Sequence, residues 1–386
     1  MTSSHTLKEK RNVHAPGSCE EENCYRIAEE MNMHERKIID FSFPVNPLGV
    51  SKRIRAELRR RLKDLNRYPD SDAKRLKKRL SQYHDIDPEK ILCGNGSSEL
   101  LSLFVRELKP LKVLIPAPAH QGFAQTVSRI REIEEGESAA VEYYEMGKEY
   151  GFRIDALSYI QALERMATSS PDMPHFCMAF LCNPNSISGR LIGRGDVRRI
   201  AEAAKAHRCY LILDEAFLDF CAGESLLAEG AENPYLIILR TMTYVYALAG
   251  LRIGYGVCAG DLAQKIERHR EPWTINSLAQ KAAAVALKDR AYLNETYTVV
   301  RSEKKFLEKS FLKLDMEFFP SDANFYLVKI QNANEVYEEL KQKGILLGAC
   351  SGFRGLDNTY LRIAVKSHRE NAALVRELSK LLKKKG

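Results

Sequence analysis

Small polar residues and a carboxylate directly follow two short apolar segments of this sequence. Gly96, Ser97 and Ser98 follow the segment ILCGN and open a segment with helical periodicity. A helix N-terminus with free N–H groups and hydroxyls can bind phosphate, although a serine there is usually only a helix cap. Asp214 follows the segment YLIL, where a carboxylate either pairs with a protonated pyridine nitrogen or serves a structural role.

A third apolar segment, LIILRT, leads into a loop that carries hydroxyl groups and an arginine. Thr241, Thr243 and Arg252 lie within eleven residues of one another in this loop. Hydroxyls and a guanidinium at this spacing can converge on one phosphate group. The pattern therefore predicts a phosphate site close to the end of this segment.

The elements that must position these residues alternate between apolar strands and helices. The segments KVLIPAP, FCMAFLCNP and GYGVCAG are further candidate strands, with helical segments such as DVRRIAEAAKAH between them. This alternation predicts a mostly parallel sheet covered by helices on both faces. Ligands of such sheets bind beyond the carboxyl ends of the strands, which is where the polar residues fall.

The remaining segments predict an α/β protein with a second, smaller α+β domain. NFYLVKI and YLRIAV are candidate strands in the C-terminal part, and residues 52–65 and 72–84 have helical periodicity. Residues 277–314 are predicted to form one long helical stretch that leads into the C-terminal part. We expect an N-terminal arm over 1–35 and a large domain over 85–285. The small domain would combine 36–84 with 286–386.

Composition and charge narrow the class of protein. Hydrophobic residues make up 45% of the 386 residues, and no run of 18 apolar residues predicts a membrane span. The polar N-terminus lacks the apolar core of a signal peptide, so we expect a cytoplasmic protein. The net charge of +8 lies partly in KRIRAELRRRLKDLNR, which we interpret as a solvated helix face rather than a nucleic-acid site. The nine cysteines form no CxxC pair, so no metal site is predicted.

Several motifs occur in the order typical of one enzyme family. They are GNGSSEL, PAPAHQGF, CNPNSISG, LDEAFLDF, LRTMTYVYALAGLRIGY, PWTINSLAQ, SDANFYLVKI and SGFRGLDNTYLRIAV. Together they resemble the fold-type-I pyridoxal-phosphate-dependent transferases of the histidinol-phosphate aminotransferase group, over roughly residues 23–380. DFSFPVNPLG, RYPDSD and FRGLD are similar, more narrowly, to threonine-phosphate decarboxylases of the cobalamin pathway. The resemblance implies a homodimer that binds pyridoxal 5'-phosphate and a small amino-acid-like ligand.

The resemblance also assigns a role to individual residues. Asp214 matches the partner of the pyridine nitrogen. His120 falls where the family has an aromatic ring stacked on the cofactor, and its imidazole, which can also stack, departs from the usual Phe or Tyr. Tyr68 matches a tyrosine that reaches the cofactor phosphate of the neighbouring subunit. The matches to the ligands of the cofactor phosphate are Gly96, Ser97, Ser98, Thr241, Thr243 and Arg252. The matches to substrate-binding positions are Arg362, which would hold the α-carboxylate, Asn46 and Arg354.

The sequence departs from the family at the position of the catalytic lysine. Counting back eight residues from Arg252 gives Tyr244 at that position, and no lysine lies between Lys205 and Lys265. A phenol cannot form a Schiff base and has no amine to carry the α-proton. Ser186 stands where the family has the asparagine that bonds the pyridoxal O3′, so this polarising contact is altered as well.

Further departures concern recognition of a phosphorylated substrate. Glu20, Glu21 and Glu22 stand where the decarboxylases usually have the histidine that helps bind the substrate phosphate. Pro44 stands at a frequent asparagine position, and Gly348 and Ala349 stand at a frequent Arg-Asp pair. Three carboxylates would repel a phosphomonoester, which disfavours threonine phosphate as a ligand.

These departures leave several interpretations open. The chain could bind pyridoxal phosphate, or its aldimine with an amino acid, non-covalently and without turnover. It could use a preformed aldimine, with Tyr244 or His120 moving protons, or retain ordinary decarboxylase or aminotransferase activity. Tyr244 could instead fill the pocket as an aromatic plug, so that no cofactor binds. A nucleic-acid-binding role would depend only on the basic helices.

Overall fold

The computed structural model describes residues 24–168, 177–221 and 223–383. The predictions for residues 1–23 of the arm, which include Glu20, Glu21 and Glu22, lie outside the described residues. The strands are β1 (Ile39–Asp40), β2 (Ile91–Gly94), β3 (Lys112–Ala117), β4 (Ala140–Glu145), β5 (Cys177–Cys182), β6 (Tyr210–Asp214), β7 (Leu236–Thr241), β8 (Gly254–Val257), β9 (Glu317–Phe318), β10 (Phe325–Lys329), β11 (Ile345–Leu346), β12 (Gly348–Ala349) and β13 (Tyr360–Ala364).

The helices alternate with these strands over the first two thirds of the chain. They are α1 (Cys24–Glu30), α2 (Lys52–Arg61), α3 (Lys74–His84), α4 (Ser97–Leu108), α5 (Gly122–Glu134), α6 (Ala156–Thr168), α7 (Arg194–Ala206), α8 (Leu227–Glu232), α9 (Gly260–His269), α10 (Ser277–Ala286), α11 (Arg290–Lys313), α12 (Ala333–Gln342) and α13 (His368–Lys383). The long helical stretch predicted after residue 277 is two helices, because α10 ends at Ala286 and α11 begins at Arg290.

The described residues form a seven-stranded sheet in the order β2-β8-β7-β6-β5-β3-β4. Strands β3 to β7 are parallel to one another, whereas β8 is antiparallel to both β7 and β2. Two buried apolar clusters that include residues of this sheet's strands fill the large part of the molecule. The prediction of a mostly parallel sheet between helices is confirmed.

One strand of this sheet had no clear signal in the sequence. Strand β4, with the sequence AVEYYE, lies at the edge of the sheet and pairs only with β3. Its side chains are exposed or half-buried along its whole length. An edge strand of this kind lacks the continuous apolar run by which the buried strands are recognised.

The C-terminal part forms a separate antiparallel sheet. Its strand order is β12-β13-β10-β9, and β10 pairs with β13 from Phe325 opposite Ala364 to Lys329 opposite Tyr360. A third apolar cluster packs this sheet against α11, α12 and α13. This arrangement places Arg362, in the middle of β13, on a rigid element beside the large sheet.

Residues 36–84 are divided between the two parts by their packing. Phe41 belongs to the apolar cluster of the C-terminal sheet, and β1 pairs with β11 there. Ile54 on α2 and Leu80 on α3 belong instead to the cluster of the large sheet. The apolar faces of α2 and α3 are covered by α10, so these helices lie against the large sheet. The predicted domain limits themselves stay a prediction.

The helices show no apolar stretch of membrane-spanning length in the part of the chain that the structure describes. Helix α11, for example, has 24 residues but includes repeated Glu and Lys residues.

Candidate functional site

A cavity of about 450 Å³ opens where the carboxyl ends of β6 and β7 face β13. We call it the main cavity, and its volume lies within the range of small-molecule sites. Ten of the predicted site residues line it: Ser97, Ser98, His120, Ser186, Asp214, Thr241, Thr243, Tyr244, Arg252 and Arg362. Gly96 lies directly behind Arg252.

The start of α4 and Arg252 form the first half of a cradle in this cavity. Gly96 precedes α4 with φ of +82°, a conformation that favours glycine. A Cβ atom added at Gly96 would lie 2.4 Å from Nη2 of Arg252. The missing side chain therefore allows the guanidinium to lie against the open N-terminus of the helix.

Two buried hydroxyls form the second half of the cradle. The Oγ1 atoms of Thr241 and Thr243 lie 2.7 Å apart, at the end of β7 and in the loop that follows. Helix N–H groups, hydroxyls and a guanidinium are the donor set that binds phosphate in proteins. The residues present thus fit a phosphate group.

Asp214 ends β6 and points its carboxylate into the main cavity. Its pKa is raised to about 6, mainly by burial, and the neighbouring Glu215 acts in the same direction. The N–H of Ala216 donates a hydrogen bond to Oδ1 at 2.9 Å, which acts in the opposite direction, as does Arg240. Burial disfavours the charged form of this carboxyl, and a protonated ring nitrogen beside it would stabilise that form. The residue therefore fits a pyridinium.

Tyr244 lies in the loop after β7, with its ring packed on one side of the main cavity. Its ring stacks on Phe217, with centroids 4.3 Å apart and an interplanar angle of 29°. Phe43 contacts it from another side at 5.4 Å. The cavity of about 450 Å³ exists with the ring in this position. The Tyr244 ring therefore borders the main cavity, and the interpretation of Tyr244 as a plug stays a hypothesis.

Ser186 connects the loop that carries His120 to the opposite wall. Its Oγ accepts a hydrogen bond from the His120 N–H at 3.1 Å, and its carbonyl accepts one from Arg362 at 2.9 Å. The imidazole of His120 is exposed and meets Phe123 edge-on at 5.8 Å. Ser186 therefore positions two predicted site residues through its hydroxyl and its backbone.

Arg362 is a buried cation that faces the main cavity. Its Nη1 and Nη2 donate to the carbonyl oxygens of Ser186 and Ser42, at 2.9 and 2.8 Å. Its Nε is buried and has no hydrogen-bond partner among the described residues. A buried guanidinium with a free N–H is stabilised by an added anion, so the residue fits a carboxylate.

Besides Gly96, three further predicted site residues do not line the main cavity. The side-chain amide of Asn46 donates to Val245 O and to Thr296 Oγ1, both at 2.7 Å, so its donors are used within the protein. Arg354 pairs with Glu145 and lines a neighbouring cavity. Tyr68 is 83% exposed, with its ring 5.2 Å from that of Trp273. The roles predicted for these residues stay predictions.

Other residues of the site were not predicted from the sequence. Phe43 and Phe353 line the main cavity from loops, where apolar residues show no periodicity. Arg240 and Glu215 form a buried ion pair of 2.9 Å next to Asp214. An arginine inside the apolar strand LIILRT and a glutamate after Asp214 could have indicated this pair, because buried charges are nearly always paired.

Known proteins match this chain over most of its length. The sequence profile described as aminotransferase class I and II matches residues 36–378. The threonine-phosphate decarboxylase of Salmonella typhimurium is 31% identical over 365 residues, which cover 93% of this chain and 95% of that protein. The crystal structure of histidinol-phosphate aminotransferase from Clostridium acetobutylicum is 27% identical, with a TM-score of 0.78 over 89% of this chain and 99% of the other.

A third comparison is with a solved structure that contains a bound cofactor. The histidinol-phosphate aminotransferase of Sinorhizobium meliloti, solved in complex with pyridoxal-5'-phosphate, superposes with a TM-score of 0.82 at 19% identity. It covers 100% of this chain and 99% of its own, so the architecture is the fold-type-I transferase fold. On the profile match and the coverage of its relatives, the chain belongs to the aminotransferase class I and II family, whose members depend on pyridoxal phosphate.

Proposed function

We propose that this chain binds pyridoxal phosphate non-covalently, together with a small amino acid, and lacks ordinary aminotransferase or decarboxylase turnover. The observation that carries the proposal is the position of Tyr244. Its ring borders a cavity that keeps a phosphate cradle, Asp214 and Arg362. The family's spacing assigns residue 244 to the lysine that would attach the cofactor. The donor groups for cofactor and carboxylate are therefore present, but no amine is present at residue 244.

Each group of residues has its own part in this proposal. The cradle of Ser97, Thr241 and Arg252 would bind the cofactor phosphate, and Asp214 would keep the ring nitrogen protonated. The bound cofactor would supply an electron-withdrawing ring. Arg362 would orient the amino acid by its α-carboxylate. Tyr244 is a weak base at neutral pH, because the reference pKa of a tyrosine is near 10.

The surroundings of Arg362 support a ligand without a phosphate group. Gly348 lies opposite Arg362 in the pairing of β12 with β13. This position carries no side chain, so it adds no second cation next to Arg362. The relative from Salmonella typhimurium is a threonine-phosphate decarboxylase, but we propose that the present chain does not decarboxylate threonine phosphate at an appreciable rate.

We further propose a cytoplasmic homodimer in which Tyr68 completes the neighbouring site. Tyr68 lies outside the main cavity of its own chain and is 83% exposed, and Trp273 beside it is 50% exposed. Leu62 and Leu65 on the same segment expose more than half of their surface. An exposed apolar patch of this kind is typical of an interface. Sedimentation of the purified protein as a strict monomer would contradict this part of the proposal.

A cofactor titration with reduction tests the central claim. Pyridoxal phosphate added to the purified protein should bind, give the absorbance of the free aldehyde and be removed by dialysis. After borohydride reduction, mass spectrometry should find no pyridoxyl group on residue 244 or on any lysine of the cavity region. Incubation with phospho-L-threonine should yield no aminopropanol phosphate. A pyridoxyl-lysine, or product formed at catalytic protein concentrations, would overturn the proposal.

A further inference from the structure

A second cavity adjoins the main cavity at His120, which lines both. Its volume is about 250 Å³, which is below the usual range for an independent small-molecule site. Its walls are the apolar end of β3, the start of α5, Tyr143 on β4 and the loop at Gly352 and Arg354. Its small volume and its position beside His120 indicate that this cavity extends the main cavity.

One loop of the C-terminal part borders both cavities. Phe353 lines the main cavity, whereas its neighbours Gly352 and Arg354 line the second. The loop is bound to the large sheet by Gln121, whose Nε2 donates to Gly352 O at 2.5 Å, and by the pair of Arg354 with Glu145. A ligand that extends from Arg362 past His120 would therefore meet a defined wall.

The positive charge of Arg354 in this wall is compensated by a neighbouring carboxylate. Arg354 pairs with Glu145, and its guanidinium lies 4.5 Å from the centre of the Tyr143 ring. The guanidinium that lines the second cavity is therefore already paired with a carboxylate, so it attracts an anionic group less strongly than an unpaired cation would. The apolar residues Ile115, Ala119 and Ala124 supply surface that an uncharged chain can cover.

We propose that the second cavity receives the distal side chain of the amino acid whose carboxylate Arg362 binds, and that it selects an extended, uncharged side chain. This inference depends on the proposed function, because it assumes that cofactor and amino acid occupy the main cavity together. It adds the class of ligand: an α-amino acid with an aliphatic or aromatic side chain longer than that of alanine.

Stable phosphopyridoxyl conjugates test the proposal without any covalent attachment to the protein. Conjugates of L-alanine, L-norvaline, L-norleucine and phospho-L-threonine, with a reduced carbon–nitrogen bond, would be titrated into the full-length protein by calorimetry. We expect the dissociation constant to fall about fourfold for each methylene that enters the second cavity. The phospho-L-threonine conjugate should bind more weakly than the norleucine conjugate.

Two variants identify the second cavity as the cause of the preference. Tyr143→Ala should reduce the ratio of norleucine to alanine affinity by at least half. Glu145→Gln leaves the Arg354 cation uncompensated, so the affinity for the phospho-L-threonine conjugate should rise about two- to fivefold. Glu224→Gln is the matched control, because Glu224 pairs with Arg194 at 2.9 Å on the surface and lines neither cavity.

The possible failures are distinguishable. If all conjugates bind with the affinity of the alanine conjugate, the second cavity does not receive the side chain and the inference is overturned, whereas the proposed function stands. Tighter binding of the phospho-L-threonine conjugate than of the norleucine conjugate would overturn the selection for uncharged chains. If no conjugate binds at all, the proposed function fails, and this inference fails with it.

Discussion

The two sides of the main cavity differ in how closely they keep the family's pattern. On the cofactor side, the cradle and Asp214 lie at the start of α4 and at the ends of β6 and β7, with the residue types the family uses. On the reaction side, Tyr244 and Ser186 stand where the resemblance implies a lysine and an asparagine. Under the proposed function, cofactor recognition and covalent chemistry are separable, because they depend on different residues.

The difference also has a structural reason. The cofactor side is fixed by sheet hydrogen bonds and by a glycine that no other residue replaces without displacing Arg252. On the reaction side, Tyr244 gains contacts with Phe217 and Phe43, which a flexible lysine would not make in the same way. Aromatic pairs of this kind contribute about 0.5–1.5 kcal/mol beyond their burial.

The largest effect is expected from restoring an amine on the reaction side. Tyr244→Lys should convert reversible binding into attachment of the cofactor at residue 244, because the cofactor side still positions the aldehyde. Mass spectrometry after borohydride reduction should find a pyridoxyl group there, and Tyr244→Phe is the control without an amine. A folded Tyr244→Lys protein without this group would show that residue 244 does not face the cofactor, and turnover should stay slow even when the group is found.

A methyl group at Gly96 should damage the cofactor side. In Gly96→Ala, the Cβ atom would displace the Arg252 guanidinium, and the backbone would be strained at φ of +82°. Loss of one charge-assisted hydrogen bond of about 1.5–3 kcal/mol lowers affinity for pyridoxal phosphate roughly ten- to hundredfold. Gly250→Ala is the matched control in the same region, since a Cβ there meets nothing within 4 Å. Equal affinities of the two variants would contradict the cradle.

Asp214 should lower the free energy of unfolding of the cofactor-free protein at high pH. Burial raises the pKa of this carboxyl from 3.8 to about 6, so the folded state favours the protonated form. The protonated carboxyl makes its full contribution to the free energy of unfolding below pH 4, and this contribution is lost as the pH rises through 6. Asp214→Asn should therefore be about 3 kcal/mol more stable than the parent chain at pH 8, and equally stable near pH 4.

Urea unfolding of the cofactor-free proteins at both pH values measures this difference. The same Asp214→Asn substitution should weaken binding of pyridoxal phosphate, because the ring nitrogen loses its anionic partner. An unfolding free energy that differs by the same amount at both pH values would show that the carboxyl does not titrate as described.

The smallest effect is expected at Asn46, whose side-chain amide donates its hydrogen bonds to groups within the protein. Asn46→Ala removes two buried hydrogen bonds, to Val245 and Thr296, and should lower the free energy of unfolding by about 1–2 kcal/mol. Asn46→Asp keeps the acceptor for the Leu48 N–H but places a buried carboxylate against the Val245 carbonyl, so it should destabilise the protein more than Asn46→Ala does. Unchanged stability together with a large loss of amino-acid binding would favour the direct substrate contact that the sequence predicts.

The sequence predicted the buried strands well because each is a continuous apolar run between polar ends. It missed β4, whose side chains are exposed, and it did not separate α10 from α11. Among the site residues, those directly after strands β6 and β7 were found by position, since the strand end itself places them. Asn46 and Arg354 were assigned from motifs alone, and their contacts depend on segments that are distant in the chain.

The sequence by itself determined the alternation of buried strands and helices, the residue types of the cradle and the absence of a lysine at residue 244. These properties are local, because periodicity and spacing follow from the backbone geometry of single elements. Only the tertiary structure decided that the Tyr244 ring packs aside on Phe217 and leaves a cavity, that Arg362 keeps an unpaired Nε, and that a second cavity begins at His120. Each of these depends on contacts between side chains far apart in sequence, whose geometry is set by the packing of the whole core.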